Sequence, residues 1–285
     1  MMIDLSILVV LYDKDPWSSL TLQRISKYYT LAGNVNLVIW NNGPKSQIDN
    51  LKEFRKNFVC NVDIIETTNN IALSKIYNRF IRENESKIYV LLDDDSLLTA
   101  AYVNSLKAIG ESSVGFPLIR CNHGVVSPKS IDFDISVGAK VPKGTLITAL
   151  GSGMVIGNEV VKKLIGKYHN VFDERFVLYG VDTTFCLRLN EASISEDIKF
   201  IEGFEHSLSR LTKESSSMSN FRLKERSYDR GMRIRYYSDF PRSLLQFFYM
   251  LYQDFLNILL NKPREIIFSH FVVAFIRGRH YRSKD

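Results

Sequence analysis

The stretch Tyr89-Val90-Leu91-Leu92-Asp93-Asp94-Asp95 decides how this chain is read. Its apolar half, built of Tyr, Val and Leu, has the character of a buried strand. It ends abruptly in three adjacent carboxylates. Like charges at neighbouring positions repel, and each resists burial without a partner. A cation seated on them relieves both costs, and hard oxygen donors suit Mg²⁺ or Mn²⁺ shared with a phosphate-bearing ligand. Taken alone, the triplet serves equally well as a solvated acidic turn, so the rest of the chain has to decide.

Upstream of it, short apolar runs alternate with helical patterns. Leu5–Tyr12, Val35–Trp40 and Val62–Glu66 read as strands, and Lys87–Leu92 as the fourth. Helices are expected over Trp17–Tyr29 (opened by Pro16), Gln47–Lys56, Ile71–Arg82 and Ala100–Ile109. The βαβαβαβ order predicts a mostly parallel sheet with helices on both faces. Ligands of such sheets bind beyond the carboxyl ends of the strands, where both Asn41 and Asp93–Asp95 would lie.

Downstream the pattern loosens. Val114–Ile119 and Leu146–Ile156 read as strands, the second interrupted by Gly151-Ser152-Gly153. That turn permits close approach of a ligand to backbone or is a β-bulge. Helices follow near Asn158–Lys167 and Thr183–Glu191, with a late strand at Lys199–Glu202. Leu211–Asn220 is Ser-rich, and Arg222, Lys224, Arg226, Arg230, Arg233 and Arg235 form a basic stretch, so 211–240 is expected as a mobile basic segment. Its arginines either clamp a diphosphate or form a solvated face. From 241 to 285 two apolar segments at helical spacing precede a basic end, Arg277 to Lys284. Amphipathic helices of this kind suit an anionic membrane surface. The alternative is a helical pair packed on the core or on another subunit.

The chain has 285 residues, 45% hydrophobic and 24% charged, with a net charge of +6. That is enough for one large domain with an appendage, and nothing in it suggests wholesale disorder. Cys60, Cys121 and Cys186 are widely spaced and unpaired in pattern, which speaks against a zinc site or a disulfide framework and fits a cytoplasmic setting. No stretch has the length of a membrane span. The basic residues follow no nucleic-acid-binding motif, so nucleic acid is not expected as a partner.

Several separated features, taken in order, resemble the family 2 inverting glycosyltransferases of the GT-A fold, bacterial rhamnosyltransferase-like enzymes in particular. Ser6–Leu11 with Tyr12 and Pro16 looks like the family's first strand, with Asp13 where Asn is usual. Trp40-Asn41-Asn42-Gly43 has Asn41 where an Asp commonly reads the nucleotide base. Asn70-Ile71-Ala72-Leu73-Ser74-Lys75-Ile76-Tyr77-Asn78 looks like the family's Asn-x-Gly…Ala-x-Asn helix start, with Ala72 and Ile76 as departures. The acidic triplet is similar to Asp-x-Asp, Gly151-Ser152-Gly153 to an acceptor-side turn, and Phe172-Asp173-Glu174 with Val181-Asp182 to the segment carrying the base.

The resemblance implies an α/β nucleotide-diphospho-sugar transferase-like domain over residues 1–210. It places Tyr12, Asn41, Asn70, Asp93 and Asp94 on the donor and Gly151, Ser152 and Gly153 beside the acceptor. Asp95, Asp93 and His206 would hold Mn²⁺ or Mg²⁺, and Asp182 would be the catalytic base, an ordinary N-cap being the alternative. The implied partners are a dTDP- or UDP-sugar and a lipid-diphosphate-linked saccharide, at the inner face of the cytoplasmic membrane. Two rivals stand beside this. One is a sugar-phosphate nucleotidyltransferase, which lacks its Gly-rich loop here; the other is an inactive sugar-binding or scaffold subunit of a membrane assembly.

Overall fold

The computed structural model describes residues 2–28, 34–121, 124–206 and 216–283. Four parallel strands form its centre: β1 (Ile3–Leu11), β2 (Val35–Asn41), β3 (Asn61–Glu66) and β4 (Ser86–Asp93). Helices α1 (Leu20–Tyr28), α2 (Ile48–Phe54) and α3 (Leu73–Glu83) connect them. Alternation along β1 sends Leu8 into one apolar cluster and Ile7 and Val9 into another, so both faces are covered. Register aligns the carboxyl ends: Val10 pairs with Asp93, Leu11 with Asn41, and Asn41 with Glu66.

The second half adds β5 (Ser96–Leu97), α4 (Ala100–Ser105), β6 (Val114–Pro117), β7 (Ile119–Cys121), β8 (Gly124–Ser127) and β9 (Met154–Gly157). Then come α5 (Asn158–Tyr168), α6 (Val181–Glu191), β10 (Ile198–Ile201) and β11 (Glu205–His206). The large sheet runs β10-β6-β9-β4-β1-β2-β3, with β9 antiparallel to both of its neighbours. A small sheet, β5-β11-β7-β8, lies beyond the end of β4.

The structure redraws several expected elements. Only Met154–Gly157 of the expected strand 146–156 is a strand, because Gly153 turns the chain at φ +82° and gives its N–H to the Leu91 carbonyl. The expected strand 114–119 divides at Pro117, which lacks a donor, and its continuation joins the other sheet. The first helix begins at Leu20 after a short 3₁₀ turn at Pro16–Ser18 capped by Asp15; Tyr29 lies outside the described residues.

The largest revision concerns 211–240. Residues 207–215 lie outside the described residues, but Ser216–Tyr237 is a 22-residue helix, α7. It is fixed by contacts distant in sequence. Buried Glu225 accepts from Tyr281 and pairs with His280 and Arg282. Gly231 lets the backbone of α9 (Phe268–Arg277) approach so closely that a Cβ would strike the Phe271 carbonyl. Between them, α8 (Arg242–Leu259) is apolar yet largely uncovered.

Candidate active site

The carboxylates at the end of β4 are held from behind. Ser152 Oγ accepts from the Asp93 N–H at 3.0 Å and shares a hydrogen bond with Ser96 Oγ at 2.7 Å. Thr21 Oγ1 donates to the Asp93 carbonyl at 2.5 Å, and Ser19 Oγ donates to that of Asp94 at 2.9 Å. The triplet is therefore clamped by hydroxyls from the start of α1 and from the turn before β9. Lys14 Nζ donates to Asp94 Oδ1 at 2.6 Å. Burial pushes the Asp94 carboxyl above its ordinary range, and Lys14 pulls it only part of the way back.

Asp93, Asp94 and Asp95 line one side of a cleft of about 980 Å³, a size suited to a substrate-sized ligand. Asp182 lines it too, from the first turn of α6. Its loop is held by the start of α3. Leu73 N–H donates to the Val177 carbonyl, Ser74 Oγ to that of Phe176, and Asn78 bonds both the carbonyl and the N–H of Phe172. Asp173 is a structural anion: Arg175 grips it, Arg188 lies at 3.6 Å and Tyr237 donates to it. Burial raises its pKa, but the two guanidiniums more than offset this and hold the carboxyl below its ordinary value. Arg188 thus braces α6 against α7. Gly180 holds the cap position of α6 at φ +84°, so Asp182 is not the cap; it sits at the second helical position, and its Oδ1 accepts from the Thr183 N–H at 2.8 Å.

Tyr77 joins the two carboxylate groups. It is buried on α3 and lines the cleft, and burial followed by the charges of Asp93 and Asp182 pushes its phenol well above the ordinary value. A Cβ on Gly151 would lie 3.6 Å from the Tyr77 hydroxyl and 3.8 Å from the Asp182 Cβ. Gly151, Tyr77 and Asp182 therefore sit together. The sequence signal for Tyr77 is its place one residue before Asn78, on the buried face of α3.

Other expected residues are placed differently. Tyr12 and Asn70 line the cleft. Asn41 does not: it is 1% exposed, its amide donates to the Lys45 carbonyl and to Glu66, and its oxygen accepts from the Gly43 N–H. It ties the ends of β2 and β3 together, while its neighbour Asn42 lines the cleft. Ser152 and Gly153 lie behind the acidic triplet, not on an acceptor surface. Gly153 packs where a Cβ would strike Pro117 and Phe204.

The backbone of His206 is in β11, paired with Ser96, next to Asp95; its side chain lies outside the described residues. Among the described residues no group of three His, Cys, Asp or Glu gathers to hold a metal. Asp93 and Asp95 supply the hard oxygen donors that Mn²⁺ or Mg²⁺ prefer, so these two carboxylates fit such an ion. The opposite wall is α7, where Arg222, Arg226, Arg230 and Arg233 all face the cleft.

No protein-family model matches the chain, and no curated protein does either. Solved structures are similar in shape. TarS 1–349 of S. aureus, in complex with UDP-GlcNAc, has a TM-score of 0.55 at 14% identity, covering 96% of this chain and 71% of that one. The mannosyltransferase PcManGT from Pyrobaculum calidifontis, bound to GDP-Man and Mn²⁺, gives 0.56 at 11%, covering 82% and 64%. Glucosyl-3-phosphoglycerate synthase from Mycobacterium tuberculosis, with Mg²⁺ and UDP, gives 0.51 at 11%, covering 79% and 76%. Against another S. aureus TarS structure the chain spans 50% of the TarS chain, with a TM-score of 0.51. A parallel sheet with one reversed strand, an acidic strand end facing a cleft, and these likenesses together identify the fold as GT-A, the α/β fold shared by these nucleotide-sugar glycosyltransferases.

Proposed function

We propose that this chain is an inverting glycosyltransferase that moves a sugar from a nucleoside diphosphate donor to a saccharide acceptor. The carrying observation is the meeting of two separate carboxylate groups, Asp93–Asp95 from β4 and Asp182 from α6, in one cleft around Tyr77. Inversion requires an acceptor hydroxyl to attack the anomeric carbon from the face opposite the leaving diphosphate. Asp182 would accept the hydroxyl proton as the new C–O bond forms and the bond to the diphosphate breaks, releasing the nucleoside diphosphate. Asp182 sits in the first turn of α6, at the positive end of the helix dipole. Asp93 and Asp95, with His206, would hold Mn²⁺ or Mg²⁺, which supplies charge neutralisation for the departing diphosphate. Tyr12 and Asn70 would border the donor, and Gly151 leaves room beside the base for the acceptor.

The neighbours' donors, UDP-GlcNAc and GDP-Man, support a nucleotide sugar here without choosing one. dTDP-L-rhamnose and UDP-hexoses are the donors we favour, with a lipid-diphosphate-linked saccharide of O-antigen or capsule assembly as acceptor. Among the described residues no helix is long and apolar enough to cross a membrane. The exposed apolar side chains of α8, including Leu245, Phe248, Phe255 and Leu259, each more than 60% exposed, support seating on the inner leaflet instead. A donor screen tests the reading. UDP-, dTDP- and GDP-sugars are each mixed with Mn²⁺, and thermal stabilisation is recorded. Stabilisation by one nucleotide class that needs the metal and disappears in Asp95→Ala is expected. A folded protein indifferent to all of them would favour the scaffold alternative.

A further inference from the structure

The cleft has two walls of opposite charge. Carboxylates crowd the end of β4, while Arg222, Arg226, Arg230 and Arg233 are spaced four, four and three residues apart, which puts them on one stripe of α7. All four are partly exposed and face the cleft. Arg230 is engaged by Glu265 at 2.6 Å. Among the described residues Arg226 and Arg233 make only long contacts, 3.4 Å to the Arg222 carbonyl and 3.6 Å to Asp229. Each guanidinium carries five donors, so both retain capacity for an anion. The position of the stripe decides which anion. α7 is seated on the loop that carries Asp182, because Gly180 leaves room for the Asp229 carboxylate where any Cβ would overlap it. The stripe thus adjoins the candidate base, and a donor diphosphate would be met at the other wall by the Mn²⁺ or Mg²⁺ that Asp93 and Asp95 would hold.

Resting on the glycosyltransferase reading, we propose that the arginine stripe of α7 binds a phosphate group carried by the acceptor, so that the acceptor is a phosphate ester and not a neutral glycan. Bidentate guanidinium contacts to phosphate oxygens would fix the acceptor's orientation, with its hydroxyl delivered to Asp182.

The test uses the full chain. Geranyl diphosphate and a glycerol phosphate trimer are titrated without divalent metal, and UDP, dTDP and GDP are titrated with Mn²⁺. Arg226→Gln/Arg233→Gln is expected to weaken binding of a phosphate probe about tenfold or more, as loss of charge-assisted hydrogen bonds requires. Nucleotide affinity should stay within about twofold, and Arg226→Lys/Arg233→Lys, which keeps the charge but not the bidentate fork, should recover only part of the lost affinity. Tighter binding of geranyl diphosphate assigns a lipid-linked source; tighter binding of the trimer assigns a phosphodiester polymer. Equal phosphate binding by wild type and variant, no binding of either probe, or a parallel loss of nucleotide affinity each overturns the proposal. Arginine-dependent phosphate binding with no nucleotide binding would support the anion site while overturning the transfer reading.

Discussion

The two walls of the cleft are built on different principles. The carboxylate wall is local: a strand ends, a triplet follows, and nearby hydroxyls from Ser19, Thr21 and Ser152 clamp its backbone. The arginine wall exists only because distant segments meet. α7 is held by Glu225 with His280, Tyr281 and Arg282, by Gly231 against α9, and by Asp173 with Arg188 and Tyr237. Chemistry written in a short motif is robust to what surrounds it, whereas chemistry presented by a packed helix depends on every contact that seats the helix.

That difference can be broken deliberately. The largest effect is expected from Arg188→Ala, which removes a buried cation, 6% exposed, from Asp173 at 3%. Breaking a buried ion pair costs about 3–5 kcal/mol, with Arg175 remaining to keep the loss near the lower end, and denaturant unfolding checks it. Turnover should fall as well, because α6 and α7 lose their brace. Gly180→Ala should cost about 1–3 kcal/mol from its positive φ alone, with overlap against Asp229 and Phe176 added. Comparing the variant's melting point with its phosphate affinity shows whether the arginine wall moves when its seat is disturbed.

Acid should act on the arginine wall first. Asp173 and Glu225 both have carboxyls held below their ordinary values of 3.8 and 4.5, in each case because cationic partners overcome the effect of burial. Their stabilisation is complete above those ordinary values and is lost as pH falls through the lower folded ones. Asp94, pushed upward, works the other way, since its protonation relieves a folded-state cost. Melting points should therefore be flat near neutrality and fall below about pH 4.5, and Glu225→Gln should flatten the fall. The smallest effect on stability is expected at α8. Phe248→Glu/Tyr252→Glu changes side chains 63% and 56% exposed, so the folded protein should stay within about 0.5 kcal/mol per site, while flotation with anionic vesicles should be lost.

How much was legible follows the same division. The four central strands, their parallel order and the position of the triplet came from short apolar runs alternating with helical patterns and from the abrupt carboxylates, all local signals. Of the residues the sequence singled out, Asp93, Asp95 and Asp182 line the cleft, whereas Ser152, Gly153 and Asn41 lie outside its lining. Side chains that point away from the cleft to hold it are indistinguishable, in a motif, from those that point in. Tyr77 is not distinguishable by sequence from a core aromatic on a helix face. The helix at 216–237 was hidden by its serines and arginines, since what stabilises it is buried pairing with residues up to 64 positions away.

Asp182 is the test of the whole reading. Turnover and nucleotide affinity of Asp182→Asn should be measured side by side, with Mn²⁺ and the donor identified by thermal stabilisation. Loss of a general base should lower kcat by about 10²–10⁴-fold while nucleotide affinity stays within about twofold. An Asp182→Asn protein that turns over as fast as wild type would contradict the assignment of this cleft as the transferase centre.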